Sequence, residues 1–337
     1  MKILLVGPYP PPHGGVSVHL AGIARRLDAA GVSHRVLDTS RTGSWSRFAA
    51  SLVRFGLDGW TIHFHANGHN WKDWSIALVC GVIGRLRGRS ILTLHSGLTP
   101  DYLGSASSVM RMIMKWTCLL HARVICVSEP IRNSLKSIGA RGEVEVAEAC
   151  LGVGGDFTNL LDASLTEWLQ DHQPFLTTAL LFRAEYGFET LVTALARLRH
   201  RYPTIGCIVM GGGDEQGAAQ KLVRDAGIDG NVLLSGDVEH DVCLTLISRS
   251  DVFVRGTLCD GDSISVREAL ALGVPVAASR TAFRPKGVTL FEPGDVDGMV
   301  SAIEAALRSN TGAVTAAPGT GDQLMAIYRH ATAAEVA

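Results

Sequence analysis

Short apolar runs alternate along this chain with longer stretches in which apolar residues recur at helical spacing. Lys2–Val6 opens as a strand, and Val16, Leu20, Ile23, Ala24 and Leu27 then share one face of a helix that Gly31 ends. Thr61–His65, Ser90–His95, Ala122–Ser128 and Glu143–Ala147 read as further strands. Among the helical patterns between them, the clearest places Val109, Met112, Ile113, Trp116, Leu119 and Leu120 on one face. The alternation breaks at Leu151–Asp156, where three glycines in four residues predict an interdomain hinge. It resumes with strands at Phe175–Phe182, Ile205–Gly211, Asn231–Gly236, Asp251–Val254, Val274–Ala278 and Gly287–Phe291. Helices separate them at Gly187–His200, Glu215–Ala226, Val238–Ser248, Ser265–Leu272 and Val296–Leu307, and a last short one is read at Gln323–His330. Strands alternating with helices imply parallel sheets joined by right-handed crossovers. The expected fold class is therefore α/β, with two Rossmann-like doubly wound parallel-sheet domains, 1–158 and 159–337, facing a cleft.

Composition narrows the function. With 337 residues there is enough chain for two cores, and a formal net charge of −1 gives no half the basic excess that nucleic acid asks for. Seven scattered Cys without a C-x-x-C pair read as reduced thiols. No leader with a cleavage site and no apolar run long enough for a bilayer is read, so the expected location is the cytoplasm, peripheral at the inner face of the membrane.

In a parallel α/β sheet, ligands sit at the carboxyl ends of the strands. Gly14, Gly15, His65, His95 and Ser128 fall there. The Gly7–Gly15 loop, with three consecutive prolines and paired glycines, is either a ligand loop or a tight turn. Asp260–Ser279 reads as an acidic loop, a short helix and a buried strand. Ser265 and Glu268 fit a capping box there, and the competing account is a polar ligand with phosphate on the helix-start amides and ribose on the carboxylate. Asp260-Gly261-Asp262 has the D-x-D shape of a divalent-ion site, a short pattern that chance also produces. Gly211-Gly212-Gly213-Asp214 misses the G-x-G-x-x-G spacing, and no Walker motif occurs. His65 and His69 suggest a metal pair that only Asp73 could complete, so a structural or acceptor-contact role is read and no metal site is assigned. Arg183 follows a buried strand, either as a fixed cation or as an exposed ion pair with Glu185 or Glu189. The Val109–Leu120 helix carries Arg111 and Lys115, with Arg85, Arg87 and Arg89 nearby and Trp71 and Trp74 upstream. It either leans on anionic lipid or faces the core.

Together, GPYPPPHGGVSVHLAGIARRL, GGGDEQ, NVLLSGDVEH, ISRSDVFVRGT and GDSISVREALALGVPVAAS resemble GT-B glycosyltransferases of family four, the glycosyl transferases group 1 type. The resemblance implies a last helix, about 320–332, that crosses back to the first domain. It also implies a metal-independent, cofactor-free retaining hexosyltransferase. The donor would be UDP- or GDP-linked, and the acceptor hydroxyl would lie on a carbohydrate or lipid-linked molecule in surface polysaccharide or glycolipid assembly. Matched position by position, Glu268 would hold the ribose and Asp260 the transferred sugar, with His95 positioning that sugar. The amides of Gly14, Gly15, Ser263 and Ile264, together with Arg183, would face the diphosphate. Two residues depart from the family pattern: Asp260 replaces its first glutamate, and Tyr186 stands where a lysine precedes Gly187. The alternatives are a nucleotide-sugar epimerase or a non-catalytic scaffold.

Overall fold

A computed structural model of the chain describes residues 1–147 (except 12, 42, 87, 88 and 141), 161–309 (except 214) and 324–329. The predicted hinge at Leu151–Asp156, the boundary at 158/159 and Arg87 lie outside these residues. Two compact units are present: the described residues up to 147 group with Asp260–Asp262 and 324–329, and the rest of 161–309 forms the other.

The first unit runs β1 (Lys2–Gly7), α1 (Gly15–Ala29), β2 (Ser33–Asp38), α2 (Trp45–Leu57), β3 (Thr61–Ala66), α3 (Trp71–Gly84), β4 (Ser90–Leu94), α4 (Thr99–Ser105), α5 (Ser108–Leu120), β5 (Arg123–Cys126), α6 (Glu129–Ser137) and β6 (Val144–Val146). Its strands are all parallel, in the order β2-β1-β3-β4-β5-β6. Helices cover both faces of such a sheet, so its central strands are buried end to end. In β3 every residue is buried, His63 and His65 included. The strand order reverses between β1 and β3, which places a ligand crevice at their carboxyl ends.

The second unit runs α7 (Ala163–Asp171), β7 (Phe175–Ala179), α8 (Phe188–Arg199), β8 (Gly206–Met210), α9 (Gln216–Asp225), β9 (Val232–Gly236), α10 (His240–Arg249), β10 (Val252–Arg255), α11 (Ile264–Ala271), β11 (Val276–Ser279), β12 (Val288–Phe291) and α12 (Val296–Arg308). The order β12-β11-β10-β7-β8-β9, again all parallel, is the doubly wound dinucleotide-fold order with its reversal between β7 and β10. Residues 324–329 are helical, and Leu324, Ile327 and Tyr328 pack with Ile3, Leu5 and Leu20 in the first unit's core.

Candidate functional site

In the second unit, the loops after β7 and β10 flank the reversal point. Arg183 ends the first of them and leads into a single turn, Ala184–Tyr186. It lies 4.0 Å from Glu185, and both side chains are exposed. An ion pair of this kind is weak in water, so the guanidinium stays available to an anion. The two loops are sewn together: the Thr257 hydroxyl (2.9 Å) and the Leu258 N–H (2.7 Å) both donate to the Glu185 carbonyl. Gly187 has φ +66°, and a Cβ there would lie 2.2 Å from the Gly256 carbonyl oxygen, so only glycine fits. Tyr186, in the lysine position, stacks under the guanidinium of Arg255 at 5.1 Å. Arg255 is buried and donates to the Ala179 carbonyl at 2.6 Å. Sequence reading passed over this second cation because it sits inside an apolar strand.

Helix α11 begins one residue earlier than predicted. Ser263 is its N-cap, with no side-chain cap hydrogen bond, so the Ser265–Glu268 capping box does not form. The amides of the first turn, Ile264 among them, therefore have no carbonyl partner within the helix and carry the positive end of its dipole. Glu268 points inward, 2% exposed, and its Oε1 lies 2.7 Å from His240 Nε2 on α10. His240 was missed; it lies 28 positions upstream, and only the fold brings it to the carboxylate. A separate cavity of ≈ 610 Å³ at the amino-terminal end of this sheet, lined by Pro174, Ser250, Asp251, Val274 and Pro275, is on the wrong side for this crevice.

In the first unit, Gly14 is the N-cap of α1. Its N–H donates to the Ser17 hydroxyl (2.8 Å), which in turn donates to the Gly14 carbonyl (3.0 Å). That occupies the Gly14 amide and leaves Gly15, the first helical residue, as the better anion donor of the pair. His95, just after β4, meets His65 of β3, with His95 Nε2 and His65 Nδ1 3.1 Å apart. His19 of α1 packs edge-on against His95, ring centroids 4.8 Å apart. Burial, then mutual repulsion with neighbouring imidazoles, holds His65 and His95 well below the usual histidine range, and burial lowers His19 to about 4. His63 lies against His65 but has both nitrogens engaged, by Tyr328 Oη (2.6 Å) and Thr93 Oγ1 (2.7 Å). Asp260–Asp262 groups with this unit. A Cβ on Gly261 would lie 2.1 Å from the His95 carbonyl oxygen, so the acidic loop lies directly on the His95 backbone. Among the described residues, Asp260 and Asp262 join no group of three metal-ligating side chains. Among the described residues His65 and His69 form no such group together either, and Asp73 accepts from the Gly68 N–H (2.9 Å) and the Asn70 amide (3.0 Å).

The model of the family described as glycosyl transferases group 1 matches residues 173–309, the span of the second unit. Over this stretch the chain is similar to the glycosyl transferases group 1 family. A GDP-mannose-dependent alpha-(1-6)-phosphatidylinositol monomannoside mannosyltransferase of Mycobacterium tuberculosis is 33% identical over 120 residues, covering 33% of this chain and 31% of that protein. The protein of the same description from Mycolicibacterium smegmatis is 28% identical over 130 residues, covering 35% and 34%. The aligned stretch thus spans about a third of these relatives. Among solved structures, HepE of Anabaena in complex with UDP-glucose superposes with TM-score 0.71 at 17% identity, covering 99% of both chains. Sucrose-phosphate synthase of Thermosynechococcus elongatus gives TM-score 0.71 at 17% identity, covering 99% of this chain and 100% of that one. The fold is GT-B, with two Rossmann-like units.

The first unit carries a further surface. The apolar stripe of α5 faces solvent: Val109 (63%) and Trp116 (60%) are exposed, with Met112 and Ile113, while Met114, Thr117 and Cys118 face the core. Neighbouring helices extend it with Trp71, Val79 and Val82 of α3 and Trp45 of α2. Lys72 lies 5.0 Å from the Trp45 ring, tying α3 to α2. Arg47, Arg54, Lys72, Arg111 and Lys115 lie on these three helices, against Asp73 as their one acid. Trp74 is buried and donates to the Gly68 carbonyl, so of the predicted tryptophan pair only Trp71 belongs to this face. Arg85 is spent on the last carbonyls of α5, Leu119 (2.6 Å) and Leu120 (3.1 Å).

Proposed function

We propose that the chain is a retaining, metal-independent glycosyltransferase that moves a hexosyl group from a UDP- or GDP-linked sugar to an acceptor hydroxyl. One observation carries this reading: within the family-matched stretch, an uncapped helix start and a buried carboxylate, Glu268, lie on the same short helix beside the strand-order reversal. That is the donor and acceptor pattern a nucleoside diphosphate needs, with amides for phosphate and carboxylate for ribose. In this reading, Ser263, Ile264 and Arg183 meet the diphosphate, and Gly15 and Gly14 supply further backbone contacts. His95 and Asp260 meet the transferred sugar. A donor phosphate oxygen takes the acceptor proton, so no side chain is asked to be a nucleophile, and charge on the leaving diphosphate is stabilised by fixed donors.

Titration of the chain with UDP, GDP and their hexose conjugates tests it. One nucleotide is expected to bind in the micromolar range, and transfer to a hydroxyl acceptor is expected to proceed unchanged in EDTA. Loss of transfer in EDTA with recovery in Mg²⁺ or Mn²⁺ would instead make Asp260 and Asp262 ligands. Tyr186 in the lysine position favours a second reading, a non-catalytic scaffold, which gains if neither nucleotide binds. A donor converted in the absence of acceptor would indicate an epimerase.

The acceptor is proposed to be lipid-linked, because an apolar, tryptophan-bearing face on three helices that carry five cations against one acid suits an anionic bilayer. No described helix is long and apolar enough to cross a membrane, so this contact would be peripheral. The chain is expected to float with phosphatidylglycerol liposomes at low salt, and Trp116→Ser with Met112→Ser to reduce the floated fraction at least about 5-fold. Equal flotation of the double variant would remove this face from the proposal.

A further inference from the structure

Three imidazoles converge where the strand order of the first unit reverses, each from a different element: His19 from α1, His65 from β3 and His95 from the end of β4. One ring nitrogen of each lies within 4.8 Å of the other two. We propose that His19, His65 and His95 hold one borderline divalent cation of the Zn²⁺ class, with a fourth position open to water. Four-coordinate zinc with nitrogen bonds of about 2.0–2.1 Å sets its ligands about 3.4 Å apart. The 3.1 Å between His65 Nδ1 and His95 Nε2 is already close to that, and the third ligand has to close in by a side-chain rotation. Three histidines with an open fourth position form a known zinc donor set, and imidazole selects Zn²⁺, Co²⁺, Ni²⁺ or Cu²⁺ over the oxygen-seeking Mg²⁺ and Ca²⁺.

Two further observations point the same way. His65 Nε2, the nitrogen turned away from His95, is buried without a hydrogen-bond partner, so no second hydrogen bond fixes this ring as two fix its neighbour's. That neighbour, His63, has both nitrogens engaged and packs 4.0 Å from the His65 ring, which makes it a wall of the site and not a ligand. The ion is a blocker here, not a cofactor: it would take the lone pair of His95. The blocking role rests on the proposed function, whereas the site itself does not.

The test is a Co²⁺ titration of the full chain after chelator treatment and desalting, read by visible absorbance. One equivalent is expected, with the intense d–d bands of a four-coordinate nitrogen site, displaced by Zn²⁺ and accompanied by a rise in Tm. His19→Ala and His95→Asn, each checked by circular dichroism, are expected to weaken Co²⁺ at least about 10-fold, while the exposed His200→Ala keeps it. Absence of bound Co²⁺ in the unsubstituted chain, or unchanged affinity in either variant, overturns the site. If Co²⁺ binds and hexosyl transfer continues at full rate, the site stands and the placement of His95 at the sugar falls.

Discussion

Replacing Glu268 by Ala is expected to remove nucleotide binding and to lower stability together, whereas Glu268→Gln separates the two. The side chain is 2% exposed and holds the His240 ring at 2.7 Å, so truncation leaves both a cavity and an imidazole nitrogen without its partner. Those terms together cost about 2–4 kcal/mol. Glutamine keeps the volume and an oxygen for a His240 N–H, so its melting temperature should stay near the unsubstituted value. It loses the negative charge, and it turns one acceptor into a donor. If the carboxylate receives the ribose hydroxyls, the lost charge-assisted hydrogen bond is worth about 1.5–3 kcal/mol, or roughly 10–100-fold in Kd. His240→Ala should copy the stability loss with a smaller effect on affinity, because the carboxylate remains. The readouts are a thermal melt and a UDP or GDP titration on each variant. Nucleotide affinity in Glu268→Gln within about twofold of the unsubstituted chain would show that this carboxylate serves α10 and not the ribose.

How much of this arrangement could be read from the residues depends on what kind of signal each position carries. The buried strands were legible because a two-sided parallel sheet demands continuous apolar runs, and Phe175–Ala179 or Val252–Arg255 stand out for that reason. Strand β2 and helix α2 were not predicted: β2 is an edge strand, Ser-His-Arg-Val-Leu-Asp, whose half-exposed residues carry no such run. The start of α11 was misplaced by one residue because Ser263 and Ser265 both look like caps, and only backbone geometry chooses between them. Periodicity on α5 reported an apolar stripe correctly but could not say what covers it, and the stripe faces solvent. His19 had a legible signal: it lies three residues after Val16 and four before Ile23, on the face that α1 turns inward. Its convergence with His65 and His95 depends on strand order, which the local pattern does not contain. His240 and Arg255 are the same case, partners supplied by tertiary contact to residues whose own motif was recognised.

The buried histidines make a second large effect predictable, an early loss of stability in acid. Burial lowers His19 and His121 to about 4 and His63 to about 3, and holds His65 and His95 well below the usual range. Repulsion among the rings adds to the effect at His63, His65 and His95, and Arg85 adds at His121, where the Ala77 carbonyl works in the opposite direction. In the unfolded chain these imidazoles protonate near pH 6.5. Below that pH the unfolded state binds protons that the folded state refuses, so stability is full above about pH 6.5 and falls as the pH drops toward the lowered values. Each such ring costs about 1.4 kcal/mol per pH unit in that window. Five together, over a single unit of pH, approach the 5–15 kcal/mol that holds an ordinary domain folded. In chelator, so that no cation competes for the rings, Tm should drop steeply between pH 6.5 and 5, with net proton uptake on unfolding. His121→Asn lies apart from the His19–His65–His95 group and can still accept or donate near the Ala77 carbonyl. It should reduce that uptake by close to one proton. A Tm that stays level from pH 7.5 to pH 5 would mean that the rings reach solvent or a counter-charge before the fold is lost, and the cluster would then have to be wet rather than dry.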